Sequence, residues 1–368
     1  MSRVLDTFLD LVRISSPTGH EREVALYAAE ALAAVGCEMR YDNSQAQTGS
    51  DTGNLIGELP GTAPGPVIAL SAHMDCIQPC EGVEPVVDGG IVRSAGSTVL
   101  GGDDKAGVAA IIETVRRLVE SNIPHPCIRV LLTVAEEDGL VGAKALSATD
   151  AAADICLVLD ADGSVGGIVT GAPTHYTFRA LFTGRAAHAG VEPEKGISAI
   201  RMASAAIDRM PLGRLDESTT ANIGTISGGS ATNVVAPTCT VTGECRSHDR
   251  ARAEEVRLAL DAALVEGARL FDGQVEVTWE LAYEGFSVSA SAPSVQLVEA
   301  TCRELGIVPR LFATGGGSDG NIISALGVET LVLSCGMTRV HTTDEEFAVA
   351  ELERLVALLV AIARRAAG

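Results

Sequence analysis

The sequence predicts an α/β domain with a mainly parallel sheet, into which a smaller α+β domain is inserted. Up to about residue 170, helical patterns such as AGVAAIIETVRRLVESN alternate with short apolar runs, namely VIALSA, IRVLLTV and DICLVLD. This alternation is typical of βαβ units. Beyond it, YTFRALFTG, ANIGTISGG, TCTVTGECR and VEVTWELAYE alternate polar and apolar residues, as strands of a half-exposed sheet do. The first pattern returns near residue 287.

We therefore predict one domain from residues 1–170 and 287–368, and an inserted domain from residues 171–286. The chain opens with an amphipathic helix in MSRVLDTFLDLVRIS. The inserted domain contains two helical segments, ISAIRMASAAIDRM and ARAEEVRLALDAALVEGARLF. The first domain ends with the helix SVQLVEATCRELG, the strand ETLVLSC and a final helix predicted throughout DEEFAVAELERLVALLVAIARR.

The composition excludes several classes of partner. The 368 residues carry 27 Lys and Arg against 48 Asp and Glu, a formal charge of -21, which argues against binding to nucleic acid or to an anionic membrane. No apolar run is long enough for a membrane span, and Asp6 and Asp10 interrupt the first helix, unlike a signal peptide. Nine cysteines, mostly within apolar runs, indicate buried thiols rather than disulfides. We expect a cytoplasmic protein.

The segment SAHMDCIQPC, at positions 71–80, follows a buried strand and admits four interpretations. These are a metal site, a zinc clip built on Cys76 and Cys80, a redox pair, and an ordinary loop. A zinc clip requires four nitrogen or sulfur ligands, and no second Cys or His pair at that spacing lies nearby. We therefore interpret the two cysteines as lining residues.

Acids and imidazoles follow four of the predicted strands, and an acidic pair lies in the glycine-rich turn VLGGDDKAG. These residues are His73, Glu136, Glu137, Asp160, His341, Asp103 and Asp104. Individually, each has a simpler explanation as a helix cap, a solvated carboxylate or a structural histidine. Ligands of open α/β sheets, however, bind at the carboxyl ends of the strands, where these residues meet. Their joint position predicts a ligand site.

Two imidazoles with several carboxylates suit zinc, cobalt or manganese better than calcium or magnesium. The number of candidate ligands exceeds the need of one ion, which predicts two ions with a carboxylate and a water between them. In AEED, one of Glu136 and Glu137 can bind metal while the other remains free as a base. Asp75, two residues beyond His73, can accept the ring N–H of that histidine.

Eight segments along nearly the whole chain carry a family resemblance. They are HMD, GGDDKAG, AEED, LDADG, AAHAGVEPEKGISAI, TNVVAPTCTVTGECRSHD, GGGSDGN and VHTTDEE. In this order they resemble the dinuclear zinc exopeptidases and deacylases, which include peptidase T, acetylornithine deacetylase, succinyl-diaminopimelate desuccinylase and the glutamate carboxypeptidases. DDKAG and VHTTDEE are most similar to the peptidase T branch. The stretch CIQPCEGVEPVVDGG has no clear counterpart.

The resemblance implies a role for each residue of the predicted site. His73 and Asp160 would bind one zinc, Glu137 and His341 the other, Asp103 would bridge them, Asp75 would orient His73, and Glu136 would be the general base. It also implies a cis peptide between Asp103 and Asp104. The expected activity is that of a zinc-dependent aminopeptidase, with Co²⁺ or Mn²⁺ as alternative metals, which hydrolyses short peptides through a hydroxide between the ions. A carboxypeptidase or an N-acyl-amino-acid deacylase is the alternative.

For the inserted domain, the resemblance implies a lid that forms a homodimer. His188 would reach the active site of the partner chain and stabilise the developing oxyanion. Arg246 would bind a substrate carboxylate, and Asn233 would also bind substrate. From the residues alone, an exposed loop histidine, a surface ion pair and a structural turn remain open at these positions. The glycines of GGGSDG at 315–320 can present N–H groups to an anionic substrate end.

Two other classes of function are less consistent with the sequence. A non-catalytic scaffold would be expected to lack the base or a ligand, yet each expected position holds a competent residue. A metal-dependent phosphohydrolase would need cationic groups around the metals, whereas this chain is acidic.

Overall fold

A computed structural model describes residues 2–368, which divide into two compact units. Unit one contains the chain up to Gly171, Val288–Ala313 and Ser318–Gly368, and unit two contains Ala172–Ser287 and Thr314–Gly317. The junctions at 171 and 288 lie one residue from the predicted boundaries. The segment Thr314–Gly317 was predicted in the first domain but belongs to unit two. There, Arg246 donates a hydrogen bond to the carbonyl oxygen of Gly315.

The helices and strands have the following bounds. The helices are α1 Arg3–Arg13, α2 Arg22–Ala33, α3 Gln45–Thr48, α4 Gly102–Glu120, α5 Val141–Ala145, α6 Ala148–Ala151, α7 Ala199–Ile207, α8 Arg250–Arg269, α9 Pro293–Glu304, α10 Asp319–Ala325 and α11 Val349–Ala366, with a 3₁₀ turn at Pro193–Lys195. The strands are β1 Glu38–Tyr41, β2 Leu55–Leu59, β3 Ile68–His73, β4 Pro85–Asp88, β5 Ile91–Ser94, β6 Ile128–Thr133, β7 Ile155–Ala161, β8 Gly167–Ala172, β9 Thr174–Thr183, β10 Gly213–Arg214, β11 Thr219–Gly228, β12 Thr238–Ser247, β13 Gln274–Tyr283, β14 Phe286–Ser287, β15 Arg310–Ala313, β16 Glu329–Ser334, β17 Met337–Thr338 and β18 Glu346–Ala348.

The main sheet of unit one is mixed, with a parallel centre. Its strands run in the order β1-β2-β6-β3-β7-β16-β8, and β15 pairs with β8. The pairs β6–β3, β3–β7 and β7–β16 are parallel, which confirms the predicted α/β class. All six residues of β3 are buried, as expected for a strand covered on both faces. The parallel register places His73 opposite Thr133, so these strands end at one edge.

The final helix begins later than the sequence pattern predicts. Residues 346–348 form strand β18, which pairs with β5, and α11 starts only at Val349. Phe347 is buried opposite Val92 and packs against Phe8 with 5.1 Å between ring centroids. Burial of this aromatic side chain in a small sheet, β17-β18-β5-β4, therefore outweighs the helical propensity of its neighbours.

All nine cysteines are free, and each except Cys127 is buried. Cys76 and Cys80 pack with Val99 in a small apolar cluster, consistent with lining residues. Within residues 2–368, no helix combines the length and apolarity that crossing a membrane requires.

Unit two is an antiparallel sheet with helices over one of its faces. The strand order is β10-β11-β12-β9-β13. Alternate residues of β9 and β12, including Phe178, Phe182 and Cys245, form a core with residues of α7 and α8. The residues between them, such as His175 and Glu244, therefore lie on the opposite face, because strand side chains alternate. We call this surface, which faces away from α7 and α8, the open face.

We expect Phe182→Ala to destabilise unit two by about 3–5 kcal/mol, because the side chain is fully buried in the core between sheet and helices. Trp279, the chain's single tryptophan, packs against Phe178 with 4.7 Å between ring centroids, so its fluorescence reports on this core during urea unfolding. The control Val265→Ala removes a side chain that is 52% exposed and should change stability by about 0.5 kcal/mol or less. Equal effects of both substitutions would contradict this description of the core.

Candidate metal centre

The ends of parallel strands bring the predicted ligands of unit one together. His73 is the last residue of β3, Asp160 lies at the end of β7, and Glu136 and Glu137 follow β6. These strands are neighbours in the sheet, in the order β6-β3-β7. The convergence therefore follows from parallel pairing, which aligns the carboxyl ends of strands that are distant in the sequence.

Asp103 lies between two imidazoles. Its Oδ1 is 3.1 Å from Nε2 of His73, and its Oδ2 is 3.2 Å from Nε2 of His341. His73 Nε2 is also 3.6 Å from Asp160 Oδ1, and His341 Nε2 is 3.3 Å from Glu137 Oε1. The five residues thus form two groups that share one carboxylate.

The donor atoms have the chemistry and spacing of a metal centre. Two sets, His73 with Asp104 and Asp160, and His73 with Asp103 and Glu137, each place one donor atom per residue within 4.8 Å of the others. Glu137 Oε1 is buried and has no well-formed hydrogen bond in the described chain, although His341 Nε2 is near. Carboxylates and imidazoles that converge in this way suit divalent transition metals. The residues therefore fit a pair of such ions.

Several carboxylates and imidazoles lie close together at this site, and burial and their mutual contacts shift their pKa values. Burial raises the pKa of Asp160 to about 7. Burial also opposes the charged form of His73, but the hydrogen bond with Asp103 and the nearby carboxylate of Asp160 outweigh it and raise the pKa of that imidazole. The exposed His341 has its pKa raised to about 10 by the adjacent carboxylates, first that of Asp103 and then that of Glu137. A bound cation would replace these protons as the source of positive charge.

Asp75 connects the ligand His73 to the loop that carries Glu136. The ring Nδ1 of His73 is 3.0 Å from the main-chain oxygen of Asp75 and 3.3 Å from its carboxylate, so the closer partner is not the predicted one. The carboxylate instead accepts the backbone N–H groups of Glu136 and Glu137, at 3.0 and 3.1 Å, and the Thr18 hydroxyl. Burial opposes its ionisation, but these hydrogen bonds and His73 hold its pKa below the ordinary value. Asp75 therefore fixes two parts of the site.

Glu136 lies beside the converging donor atoms but, unlike Glu137, is not one of them. It is surrounded by protein, and part of its surface reaches solvent. Burial, followed by the charge of Asp160, raises its pKa well above the usual carboxylate value. It belongs to neither of the two sets of converging donor atoms, unlike Glu137. A carboxylate with raised proton affinity beside a ligand cluster is suited to accept a proton.

The turn of Asp103 is held by two acids. From the sequence, Asp104 is placed at the site without a specific role, and Glu345 is not singled out. Glu345 is buried and accepts the N–H groups of Gly101 and Asp103, at 2.8 and 3.0 Å. Asp104 accepts the N–H groups of His73 and Gly107. The peptide between Asp103 and Asp104 is cis, as the resemblance implied. Glu345 belongs to the motif VHTTDEE, so its proximity to His341 was the available signal.

Two further buried acids were missed. Glu21 accepts the N–H of Ala135 at 3.0 Å and the hydroxyl of Ser50, and so supports the residue before Glu136. Asp319, in GGGSDG, accepts the hydroxyl of Thr133 with one oxygen, while the other is buried without a partner in the described chain. Burial raises the pKa of Asp319 to about 6. Nothing in the periodicity of the sequence distinguishes Glu21 from a surface residue at a helix start.

The remaining predicted residues lie in unit two. His188 is exposed, and its Nδ1 accepts the N–H of Gly190 at 3.2 Å. Its backbone pairs with Val234, while Ala189 donates to the carbonyl oxygen of Asn233 at 2.9 Å. The loops of His188 and the exposed Asn233 are therefore adjacent.

Arg246 lies on the open face of unit two, on strand β12. Its guanidinium donates to Glu244 Oε2 at 2.9 Å, to the carbonyl oxygen of Gly315 at 3.2 Å and to the Tyr283 hydroxyl at 3.4 Å. This is more than a surface ion pair, because the side chain is only 28% exposed and has three different acceptors. The contact also brings Arg246 to the glycine segment of GGGSDG.

Comparison with known families identifies the chain. The model of the peptidase family M20/M25/M40 matches residues 69–365, which include all five converging residues of unit one. The chain belongs to this family. As an M20/M25/M40 member it is a metal-dependent peptidase, in agreement with the donor set described above.

Three relatives of this M20/M25/M40 chain cover nearly its whole length. An aminopeptidase PepT from Bacillus cereus ATCC 10987 is similar in structure, with a TM-score of 0.94, 40% identity and coverage of 100% of this chain and 98% of that one. A tripeptidase from Staphylococcus aureus subsp. aureus mu50 has a TM-score of 0.96, 38% identity and coverage of 99% and 98%. A Bacillus subtilis (strain 168) protein named YqjE, itself uncharacterised, is 42% identical over 365 residues, 99% of this chain and 98% of that protein.

Proposed function

We propose that this chain is a zinc-dependent aminopeptidase that removes the amino-terminal residue from short peptides, with tripeptides as the preferred class. The observation that carries the reaction type is the position of Asp103 between His73 and His341, with one carboxylate oxygen directed to each imidazole. The substrate class is supported by the full-length likeness to an aminopeptidase and a tripeptidase.

In this proposal, the five converging residues hold two divalent ions. His73 and Asp160 would hold one ion, Glu137 and His341 would hold the other, and Asp103 would contribute to both. When bound, such ions polarise a carbonyl group and lower the pKa of a water molecule. Zinc is the metal that fits this mixture of imidazole and carboxylate ligands, and cobalt or manganese can bind the same set.

Glu136 acts as the general base and then as the general acid. It accepts a proton from the attacking water and delivers it to the departing amine nitrogen. Burial raises the pKa of Glu136 above the usual carboxylate value, which supports both steps because a carboxylate of higher proton affinity is a better acceptor of the proton that it later returns. Asp75 supports both steps, since it fixes the backbone of Glu136 and the imidazole of His73.

His188 is suited to donate a hydrogen bond to the developing oxyanion. Its Nδ1 accepts the Gly190 N–H, so the neutral ring carries its proton at Nε2. We propose that the chain forms a homodimer through unit two, that unit two acts as a lid, and that His188 serves the partner's active site. Arg246 and Asn233 bind the substrate. The nine free thiols support a cytoplasmic, reducing location.

A panel of three substrates tests the proposed reaction. After chelation and addition of zinc, we expect hydrolysis of a tripeptide with a free amino terminus, and at least about a hundredfold lower kcat/KM for its N-blocked form and for an N-acyl amino acid. A site that pairs with a charged group discriminates strongly against a substrate that lacks it. Preference for the N-acyl compound would identify a deacylase, and preference for the N-blocked peptide a carboxypeptidase. Activity that survives complete removal of metal would overturn the metal-dependent mechanism.

A further inference from the structure

A group of polar side chains on the open face of unit two surrounds Arg246. His175 on β9 is the direct cross-strand neighbour of Arg246 on β12, and Glu244 lies two residues before it on the same face. Tyr283 on β13 is the cross-strand neighbour of His175, with 5.1 Å between the ring centroids. Three strands therefore contribute to one group, which we call the Arg246 group: His175, Glu244, Arg246 and Tyr283.

One carboxylate oxygen organises this group. Glu244 Oε2 lies 2.8 Å from Nε2 of His175 and 2.9 Å from NH2 of Arg246. The close contact with His175, and then the pairing with Arg246, lower the pKa of Glu244 to about 2, so it is charged at neutral pH. Because Nε2 of His175 and the guanidinium of Arg246 both lie beside the same oxygen, the negative charge of Glu244 is not presented to solvent alone.

The guanidinium of Arg246 retains hydrogen-bonding capacity after these contacts. A guanidinium has five N–H groups, and the structure gives Arg246 three acceptors: Glu244, Tyr283 and the carbonyl oxygen of Gly315. Its Nε is buried without a partner in the described chain. Neither ring nitrogen of His175, whose residue is 8% exposed, makes a well-formed hydrogen bond there, although Nε2 lies close to Glu244. Buried donors without partners are uncommon in folded proteins and often mark a ligand site.

We propose that Glu244 and His175 are positioning residues that fix the Arg246 guanidinium as the receptor for the free C-terminal carboxylate of a short peptide. This inference rests on the proposed function. An unsupported arginine loses much conformational freedom when it binds a ligand, and fixing its guanidinium in advance removes part of that loss. His175 has a separate role, because its Nε2 beside Glu244 Oε2 weakens the repulsion between Glu244 and an incoming carboxylate.

A competing interpretation predicts the opposite change in substrate binding when Glu244 is removed. Glu244 could compete with the substrate carboxylate for Arg246, in which case its removal would improve binding. Positioning predicts the reverse, a loss of binding restricted to substrates that carry the carboxylate. A purely structural role predicts equal losses for all substrates.

The test compares a tripeptide with its C-terminal amide, both with a free amino terminus. For Glu244→Gln, we expect KM for the free acid to rise about tenfold with kcat changed by less than about twofold, because a charge-assisted contact is weakened. The amide should change by less than about twofold in both constants. His175→Gln should act in the same direction. The matched control is Glu276→Gln, an exposed glutamate on β13 of the same sheet that is not among the partners of Arg246 in the described chain.

Binding to an inactive protein provides a second measurement. Calorimetric titration of either peptide into the zinc-loaded Glu136→Gln variant, with and without Glu244→Gln, should give the same selective loss for the free acid. Trp279 fluorescence reports whether unit two is folded. Equal losses for acid and amide, or tighter binding of the acid, would overturn the inference. If the wild-type enzyme cleaved the free acid and the amide equally well, the inference would also be wrong. The aminopeptidase proposal would still stand in that case. Failure to cleave any free-amino tripeptide would instead overturn the proposed function itself.

Discussion

Glu136→Gln should lower kcat for tripeptide hydrolysis by about 10²–10⁴-fold while the zinc content stays unchanged, because a positioned general base contributes about that factor. Glutamine has nearly the same shape but does not accept and return a proton. The backbone of residue 136 is held by Asp75 through its N–H, a contact that the substitution preserves. Steady-state kinetics and elemental analysis of the purified variant measure the two expected results.

Glu137→Gln is the matched comparison, since it alters the adjacent side chain in the same way. Its carboxylate belongs to a set of converging donor atoms, and Oε1 lies 3.3 Å from His341 Nε2. We therefore expect this variant to lose bound metal together with activity. If Glu136→Gln released metal and Glu137→Gln retained it, the two glutamates would have exchanged roles.

Asp103→Asn should have the largest effect on metal binding. The two carboxylate oxygens of Asp103 face two different imidazoles, so one substitution weakens both proposed ion positions. Loss of metal affinity should exceed the about 10–100-fold typical of a residue that only supports a ligand. Activity should fall below detection at micromolar zinc. Titration of the apo-protein with zinc, followed by calorimetry, measures the change.

Asp138→Asn is the control for this variant. Asp138 is exposed and directly follows Glu137, and it is absent from both sets of converging donor atoms in the described chain. Its substitution should leave zinc stoichiometry and activity within about twofold of the wild type. Asp103→Asn with two tightly bound zinc ions would contradict the bridging role.

Much of unit one could be predicted because its central strands carry a strong signal. β3, β6 and β7 are short apolar runs, and the rule that ligands bind at the carboxyl ends of such strands led directly to His73 and Asp160. The same rule predicts the position of His341 less directly. Strand β17 separates it from the end of β16, so its approach to Asp103 depends on a loop conformation that no periodic pattern encodes.

The supporting residues were harder to predict than the ligands. Glu21 and Glu345 accept hydrogen bonds from backbone N–H groups of distant segments, and such contacts leave no periodic pattern in a sequence. Prediction of the fold is limited in the same way. The long-range pairing of Phe347 with Val92 overrides a locally helical pattern. The boundary at Thr314–Gly317 also depends on a long-range contact, that of Arg246 with Gly315.

Anomalous X-ray scattering from crystals grown with zinc tests the central claim most directly. The account predicts two peaks on either side of the Asp103 carboxylate, about 3.5–4 Å apart, one next to His73 and Asp160 and the other next to Glu137 and His341. A single peak elsewhere, for example beside Cys76 and Cys80, or no peak in a protein that still hydrolyses tripeptides, would contradict it.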